Sequence, residues 1–222
     1  MSNSDRGPAS IMDGLLRRRT RKIIGNVDQP TTSATIGQLE IDQLLAAAGN
    51  APFHYPCDRI HLNRFNSPVP WRAYKFGTDT KSKLIDVLRS NGDATKVPDM
   101  IAACEYLVLV TWLPDSGTVQ DREEKDETIF TGTLRNMENI AAASAFVQSL
   151  LLVAEETGFQ TYWSSGGALR SPKLFSDLNI AQSELLLGAI FFYPQNVVGA
   201  EIKPGKLAEQ RGMIDNWSEW IV

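Results

Sequence analysis

The sequence predicts an α+β fold, a sheet covered by helices, on three observations. Two continuously apolar runs, Leu107-Val108-Leu109-Val110 and Leu185 to Tyr193, have the pattern of strands covered on both faces, and Pro114 and Pro194 close them. One long apolar segment, Ile140 to Ala154, is interrupted by Ser144, Gln148 and Ser149. It is shorter than the roughly 20 residues a membrane span requires, so it reads as a buried core helix. Helix and strand patterns are mixed along the chain without internal repeats, which suits one sheet with helices packed on it.

The elements follow in order. Residues 1–10 are mostly small and polar and are expected to form a disordered tail, leaving 11–222 as a single domain. Ile11, Leu15 and Leu16 make an apolar stripe at helical spacing that runs into Arg17, Arg18, Arg19 and Arg21, so this basic cluster sits at a helix end. Asn26 to Ser33 reads as loop. Thr35 with Gln38 three residues on has the form of a capping box for a helix through Ile41, Leu44, Leu45 and Ala48, stopped by Gly49. Pro52, Pro56, Pro68 and Pro70 exclude long regular structure between Asn50 and Pro70. Trp71 to Phe76 is then a strand, and a helix around Leu84, Ile85 and Leu88 ends at Asn91-Gly92.

Glu105 to Leu113 is the clearest strand, and the acidic stretch Asp115 to Glu127 reads as a surface excursion before a long helix from about Arg135 to Thr157. After Gly158 a short strand enters the turn Trp163-Ser164-Ser165-Gly166-Gly167. Ser171-Pro172 is an N-cap followed by proline at the first helical position, opening a helix to about Leu178. The tail beyond Pro194 carries Lys203, Lys206, Arg211, Trp217 and Trp220.

Composition bounds the function. An apolar share of 43% with 22% charged residues is that of a globular protein, and a net charge of -4 with pI near 5.3 argues against a dedicated nucleic-acid binder. Two cysteines, Cys57 and Cys104, make no disulfide framework, and no apolar N-terminal stretch has the form of a signal peptide, so the expected address is cytoplasmic.

Four arginines and Lys22 within six positions repel one another, and guanidinium groups bind phosphate oxygens bidentately. On spacing alone the cluster reads first as a solvated helix end, favourable to the helix dipole, and only second as a phosphate site. The paired serines and glycines after Trp163 can present backbone amides to a ligand, or serve as a tight connection that needs glycine for its backbone angles. There is no G-x-G-x-x-G after a strand, no Walker A sequence and no nucleophile elbow. His54, Cys57, Asp58 and His61 are metal-compatible, but Pro56 lies among them and their spacing is not that of a zinc site, so no metal is assigned.

The order of these features resembles the nitroreductase family of flavoproteins, in its compact branch. The resemblance rests on Arg17-Arg18-Arg19-Thr20-Arg21 at a helix end and on an Ala-rich helix leading to Asn50-Ala51-Pro52-Phe53-His54. It continues with Pro70-Trp71 entering a strand, Glu138-Asn139-Ile140-Ala141-Ala142-Ala143 in the long helix, Trp163-Ser164-Ser165-Gly166, and a basic tail, spanning roughly residues 11 to 222. It implies a nitroreductase-like fold with a central mixed, mainly antiparallel sheet, a homodimer, and an FMN cofactor at the subunit interface.

By resemblance, Arg17, Arg18, Arg19 and Arg21 hold the FMN phosphate and the pyrimidine side of the ring. Trp163, Ser164, Ser165 and Gly166 lie beside the flavin with Gly167 adjacent, where amide donors support the charge that builds up on reduction. Asn50, Pro52, Phe53 and His54 reach the cofactor from the partner subunit, and Arg211 or Lys206 completes the phosphate grip. The implied activity is NAD(P)H-driven, ping-pong reduction of nitroaromatics, quinones or similar electron-poor substrates, with no obligate catalytic side chain and no nucleic-acid or membrane partner. The sequence departs from the family pattern in four places. Arg19 stands where serine is common, Phe53 stands where serine or aspartate is common, Val69-Pro70-Trp71 stands in place of Gln-Pro-Trp, and residues 55 to 68 lengthen the path from the Ala-Pro pair to Pro70-Trp71. A specialised reduction such as reductive dehalogenation, or a non-catalytic binding protein of this fold, are the alternative readings.

Overall fold

The computed structural model describes residues 11–32, 34–119, 130–194, 201–205, 207, 210 and 212–221. In chain order the elements are α1 (Ile11–Arg17), β1 (Arg21–Ile24), α2 (Gln38–Ala48), β2 (Trp71–Phe76), α3 (Thr78–Ser90), α4 (Val97–Ala103), β3 (Tyr106–Trp112), α5 (Leu134–Glu156), β4 (Gln160–Ser164), α6 (Pro172–Asp177), β5 (Leu185–Tyr193) and β6 (Glu201–Pro204). Four strands form an antiparallel sheet in the order β2-β3-β5-β4, while β1 and β6 pair as a separate antiparallel ribbon. A parallel bridge between Thr20 and Thr161 lays the ribbon beside β4.

The sheet is covered on both faces, as the continuous apolar runs of β3 and β5 require. Leu107, Leu109, Ala189 and Phe191 pack toward α3, α4 and α6, and Ile23 of the ribbon joins them. Val108, Val110, Ile190 and Phe192 pack toward α2 and α5, where Phe146, Val147 and Leu150 are buried. Because side chains alternate along a strand, the apolar residues of β3 each join one cluster or the other, and all seven residues, Thr111 included, are buried. By length and composition α5 could cross a membrane, but 44% of its most apolar window is buried in this one chain, so its inner side is core.

Several local expectations change. Thr35 does not cap α2: its N–H and hydroxyl both donate to the Glu105 carboxylate, at 2.7 and 2.5 Å, and Gly37 takes the N-cap position. A carboxylate with 2% exposure needs donors more than a helix end that water can reach. α4 has no counterpart in the predicted elements, although Pro98 and Asp99 in its first turn are helix-start signals. The basic segment is divided, since α1 ends at Arg17 and Arg21 opens β1. The stripe Ile11, Leu15 and Leu16 lies exposed, and Gly14 is the α1 residue buried against α5. The N-terminal tail 1–10, part of the acidic excursion, Lys206 and Arg211 lie outside the described residues.

Candidate functional site

α1 reaches α5 through Gly14, where a β-carbon would stand 2.8 Å from Glu156 Oε1, and Arg17 donates to that same oxygen at 2.8 Å. This contact fixes the start of the basic segment. Arg18 is half-buried, and its N–H continues the helical pattern to Gly14 O. The Arg19 guanidinium turns back to the carbonyls of Leu16 and Arg18, satisfying acceptors that the helix end leaves open. Arg21 is exposed on β1, where it stands opposite Pro204 of β6, and its guanidinium has no hydrogen-bond or ion-pair partner among the described residues. Lys22 lies over the Tyr162 ring of β4, 6.0 Å from its centroid.

The second half of the site is the exit from β4. Gly166 and Gly167 both have positive φ, +108° and +54°, so the chain reverses there in conformations that glycine adopts without penalty. Gly166 is buried, its N–H donates to Ser164 Oγ at 3.2 Å, and a β-carbon there would overlap Leu186 Cδ2. Ser165 and Gly167 are exposed on either side of it, and a β-carbon built on Gly167 would meet, among the described residues beyond its chain neighbours, only Val97 Cγ2, at 3.7 Å. Arg170 staples this turn to β5, donating to Ser165 O at 2.5 Å, Leu186 O at 2.7 Å and Leu187 O at 3.3 Å. It is a positioning residue without a sequence signal, since a lone arginine after two glycines has no distinguishing spacing.

The bridge between Thr20 and Thr161 joins the two halves. Running parallel, it sets the arginines beside the start of β4 and the serine-glycine turn at its end, four extended residues or roughly 13 Å further on. Cations thus sit at one end of a short strand and close-approach backbone at the other. Trp163 extends the frame, its indole lying against Gly188 of β5.

The segment Asn50 to His54 is not part of this assembly in one chain. Asn50 folds back on α2, donating to Ala46 O and Ala47 O at 3.2 Å, while Pro52 and His54 are exposed. Phe53 packs edge-on against Trp71, with centroids 6.0 Å apart. Trp71 starts β2, so this segment and the serine-glycine turn share one end of the sheet but lie at its opposite edges, three strand spacings or roughly 14 Å apart.

Residues 55 to 68 form a tied structure whose organiser is Arg72, a residue the sequence reading missed. Its guanidinium is buried and donates to Val69 O at 2.8 Å, Trp71 O at 2.7 Å, His61 O at 3.0 Å and Ser67 O at 3.2 Å, with Cys57 Sγ at 3.8 Å. The metal-compatible side chains go to separate partners. His61 Nε2 donates to Pro114 O, 2.7 Å away, and Asp58 caps a 3-10 turn at Arg59–Leu62 and accepts from Ser116. At the far side of Arg72, the Glu184 carboxylate accepts from Tyr74 and Thr111, and burial followed by that negative charge raises the Tyr74 phenol well above its ordinary pKa.

No protein-family model matches the sequence, and no curated protein matches it. Solved structures do. A nitroreductase-like family protein from Bacillus cereus is 18% identical, with a TM-score of 0.60 over 96% of this chain and 100% of that one. A protein from Desulfovibrio desulfuricans described as a nitroreductase, in complex with FMN, is 19% identical with a TM-score of 0.55 over 92% and 96%. The FMN and NADPH-dependent nitroreductase of sphigopyxis sp. strain HMH is 11% identical with a TM-score of 0.60 over 96% and 100%. At these identities the likeness speaks to architecture, and on it the chain has the nitroreductase-like α+β fold.

Proposed function

We propose that this chain is an FMN-dependent oxidoreductase that uses NAD(P)H to reduce small electron-poor molecules such as nitroaromatics or quinones. The observation that supports the reading is the bridge between Thr20 and Thr161, which sets the basic segment beside the strand that leads into the serine-glycine turn. The arrangement suits FMN because Gly167 stands open beside a buried Gly166, and Arg21 is exposed on β1. When bound, FMN supplies hydride acceptance from NAD(P)H and delivery to the acceptor, in two half-reactions at one face.

The chain's own residues bind and orient. Arg21 and Arg18 neutralise the phosphate, Arg17 anchors the segment through Glu156, and Arg19 holds the turn between helix and strand. Ser165 and Gly167 offer backbone to the ring edge while Arg170 holds them in place. Arg211 or Lys206 is the proposed C-terminal cation. A flavoprotein of this design is one domain over residues 11–222, and Cys57 and Cys104, free and buried, suit a reducing cytoplasm.

A homodimer completes the site by bringing Asn50, Pro52, Phe53 and His54 from the partner. α5 supports it: Leu134 and Met137 are 65% and 59% exposed, and Leu152 and Val153 are half-buried further along, so an apolar helix is left uncovered on one side. The same FMN chemistry with a specialised acceptor, as in reductive dehalogenation, is the second reading, supported by the structured 55 to 68 segment.

The test is the visible spectrum of the purified protein before and after anaerobic NADH or NADPH. Flavin bands that bleach support the proposal. Bands that persist move the donor elsewhere, and a colourless protein that rejects added FMN overturns the cofactor reading.

A further inference from the structure

The two cysteines of this chain are both buried, but their surroundings differ. Cys104 is closed off completely, at 0% exposure; its thiol donates to Ile101 O at 3.2 Å, and burial pushes it up to about 12. Cys57 keeps 6% exposure on the segment 55 to 68, between an exposed Pro56 and a half-buried Asp58, so solvent runs alongside it. Its thiol donates to Ser67 O at 3.5 Å, and Arg72 Nη2 stands 3.8 Å from Sγ. An apolar interior makes a cysteine inert, whereas a neighbouring cation and a path to solvent make one reactive.

The guanidinium beside Cys57 has an unpaired donor. Arg72 is 5% exposed, and its Nε has no hydrogen-bond partner among the described residues. Nε–H and Nη2 form one edge of the planar fork, the edge that grips two oxygens side by side. Nη2 is the nitrogen that reaches Sγ, so this edge lies toward Cys57. His61, buried in the same cluster, accepts from Arg72 Nη2 through its carbonyl at 3.0 Å, and its ring Nδ1 is likewise without a partner among the described residues. Buried polar atoms left unpaired are destabilising, and an acceptor oxygen on Sγ would answer the Nε–H.

We infer that Cys57 is a site of reversible oxidation by hydrogen peroxide, at which the sulfur gains one oxygen that the Arg72 guanidinium holds. The sulfur, as thiolate, attacks one peroxide oxygen and the O–O bond breaks. The other oxygen leaves as hydroxide and takes up the proton that the thiol gave, so a thiol and a peroxide yield a sulfenic acid and water, with sulfur oxidised and peroxide reduced by one electron pair. The new oxygen carries negative charge and meets the Nε–H and the charge of the fork. The same event removes the thiol's bond to Ser67 O and draws on the donors that hold His61 O and Ser67 O, so oxidation loosens segment 55 to 68. A thiol reductant reverses it. The site is built from this segment and Arg72 alone, and it stands whether or not the chain carries a flavin.

The test treats the native full chain with hydrogen peroxide, labels it with a cyclic 1,3-dione that reacts with sulfenic acids, and reads the label by peptide mass spectrometry. Cys104 is the comparison within the same molecule, so this result needs no variant to fold. The expected outcome is label on Cys57 and none on Cys104, with the Cys57 label lost when dithiothreitol precedes the dione. No label on Cys57, or equal label on both cysteines, overturns the inference. Limited proteolysis of the peroxide-treated chain should cut within residues 55 to 68 and should not do so in Cys57→Ser treated alike; equal cutting in the two would separate the loosening from the sulfur. Arg72→Met then divides charge from access, because it frees the segment while removing the donors. Labelling of Cys57 should slow by roughly 10-fold or more in that variant, the scale of losing one charge-assisted hydrogen bond. Unchanged or faster labelling takes the guanidinium out of the site.

Discussion

Gly188 of β5 lies directly beneath the indole of Trp163 on β4. A β-carbon at 188 would overlap Trp163 Nε1 and come within 2.6 Å of Cδ1 and 2.7 Å of Ser164 O. One of those neighbours is backbone in the strand that ends at the serine-glycine turn, so it cannot rotate away. Gly188→Ala is therefore expected to cost about 1–3 kcal/mol as an overpacked site and to displace the indole. The proposed flavin wall moves with it. Urea unfolding reads the first effect and flavin content per chain the second, and a variant matching the parent in both would mean that the sheet absorbs the methyl without moving Trp163.

Arg17 and Arg21 have different environments and should respond differently. Arg17 pairs with Glu156 at 2.8 Å with both side chains 43% exposed, a class of pair that contributes about 0.2–1 kcal/mol, so Arg17→Ala should lower stability slightly. Arg21, exposed at the proposed phosphate end, should matter for the ligand instead. Loss of a charge-assisted contact of about 1.5–3 kcal/mol predicts FMN affinity lower by roughly 10- to 100-fold in Arg21→Ala. Fluorescence titration of apo-protein with FMN measures it. Equal affinity in parent and Arg21→Ala would take that residue out of the phosphate site.

These contrasts show what the sequence can and cannot carry. β3, β5 and α5 were legible because burial on both faces leaves continuous apolar runs, and Ser171-Pro172 because a cap and a proline are local chemistry, with Ser171 Oγ accepting from Leu174 N at 3.1 Å. The two halves of the candidate site were legible as residue types, but their juxtaposition depends on one bridge between positions 20 and 161. β1 and β6 escaped notice because strands of four residues are too short to show a periodicity, β1 having Ile23 as its one fully buried residue and β6 having all four residues exposed. Arg72 escaped for another reason. Its partners are carbonyls, which every residue has, so no side-chain pattern announces a buried guanidinium.

Arg72→Met tests that hub. The substitution keeps much of the volume but removes the donors from Val69 O, Trp71 O, His61 O and Ser67 O. With hydrogen bonds to a charged group contributing about 1.5–3 kcal/mol each, and water able to reach part of the segment, a loss of about 3 kcal/mol or more is expected. Segment 55 to 68 should loosen before the sheet does. Limited proteolysis should then cut within it in the variant and spare the parent; equal cleavage would show that the segment is held by its aromatic contacts.

Asp58 ties this segment to the loop after β3 and makes stability depend on pH. Its carboxylate accepts from the Ser116 hydroxyl at 2.7 Å and from the Ile60 and Ser116 N–H groups, and the Ser116 hydroxyl bond is the largest cause of a pKa below the usual aspartate value. A group whose folded pKa is depressed contributes stability above its unfolded pKa, and that contribution is lost as pH falls through the folded value. The window therefore lies below about pH 4. Asp58→Asn keeps an acceptor for Ile60 N–H but has no proton to gain. Its stability deficit relative to the parent should be present near neutral pH and shrink progressively below about pH 4, as protonation costs the parent the same interactions. Ser116→Ala should reduce the pH-dependent part of that deficit, because it removes the bond that does most to lower the pKa. Urea midpoints for the parent and these variants across the window decide the point: a deficit that stays constant from neutral to acid pH would mean that the Asp58 charge contributes nothing to holding the segment.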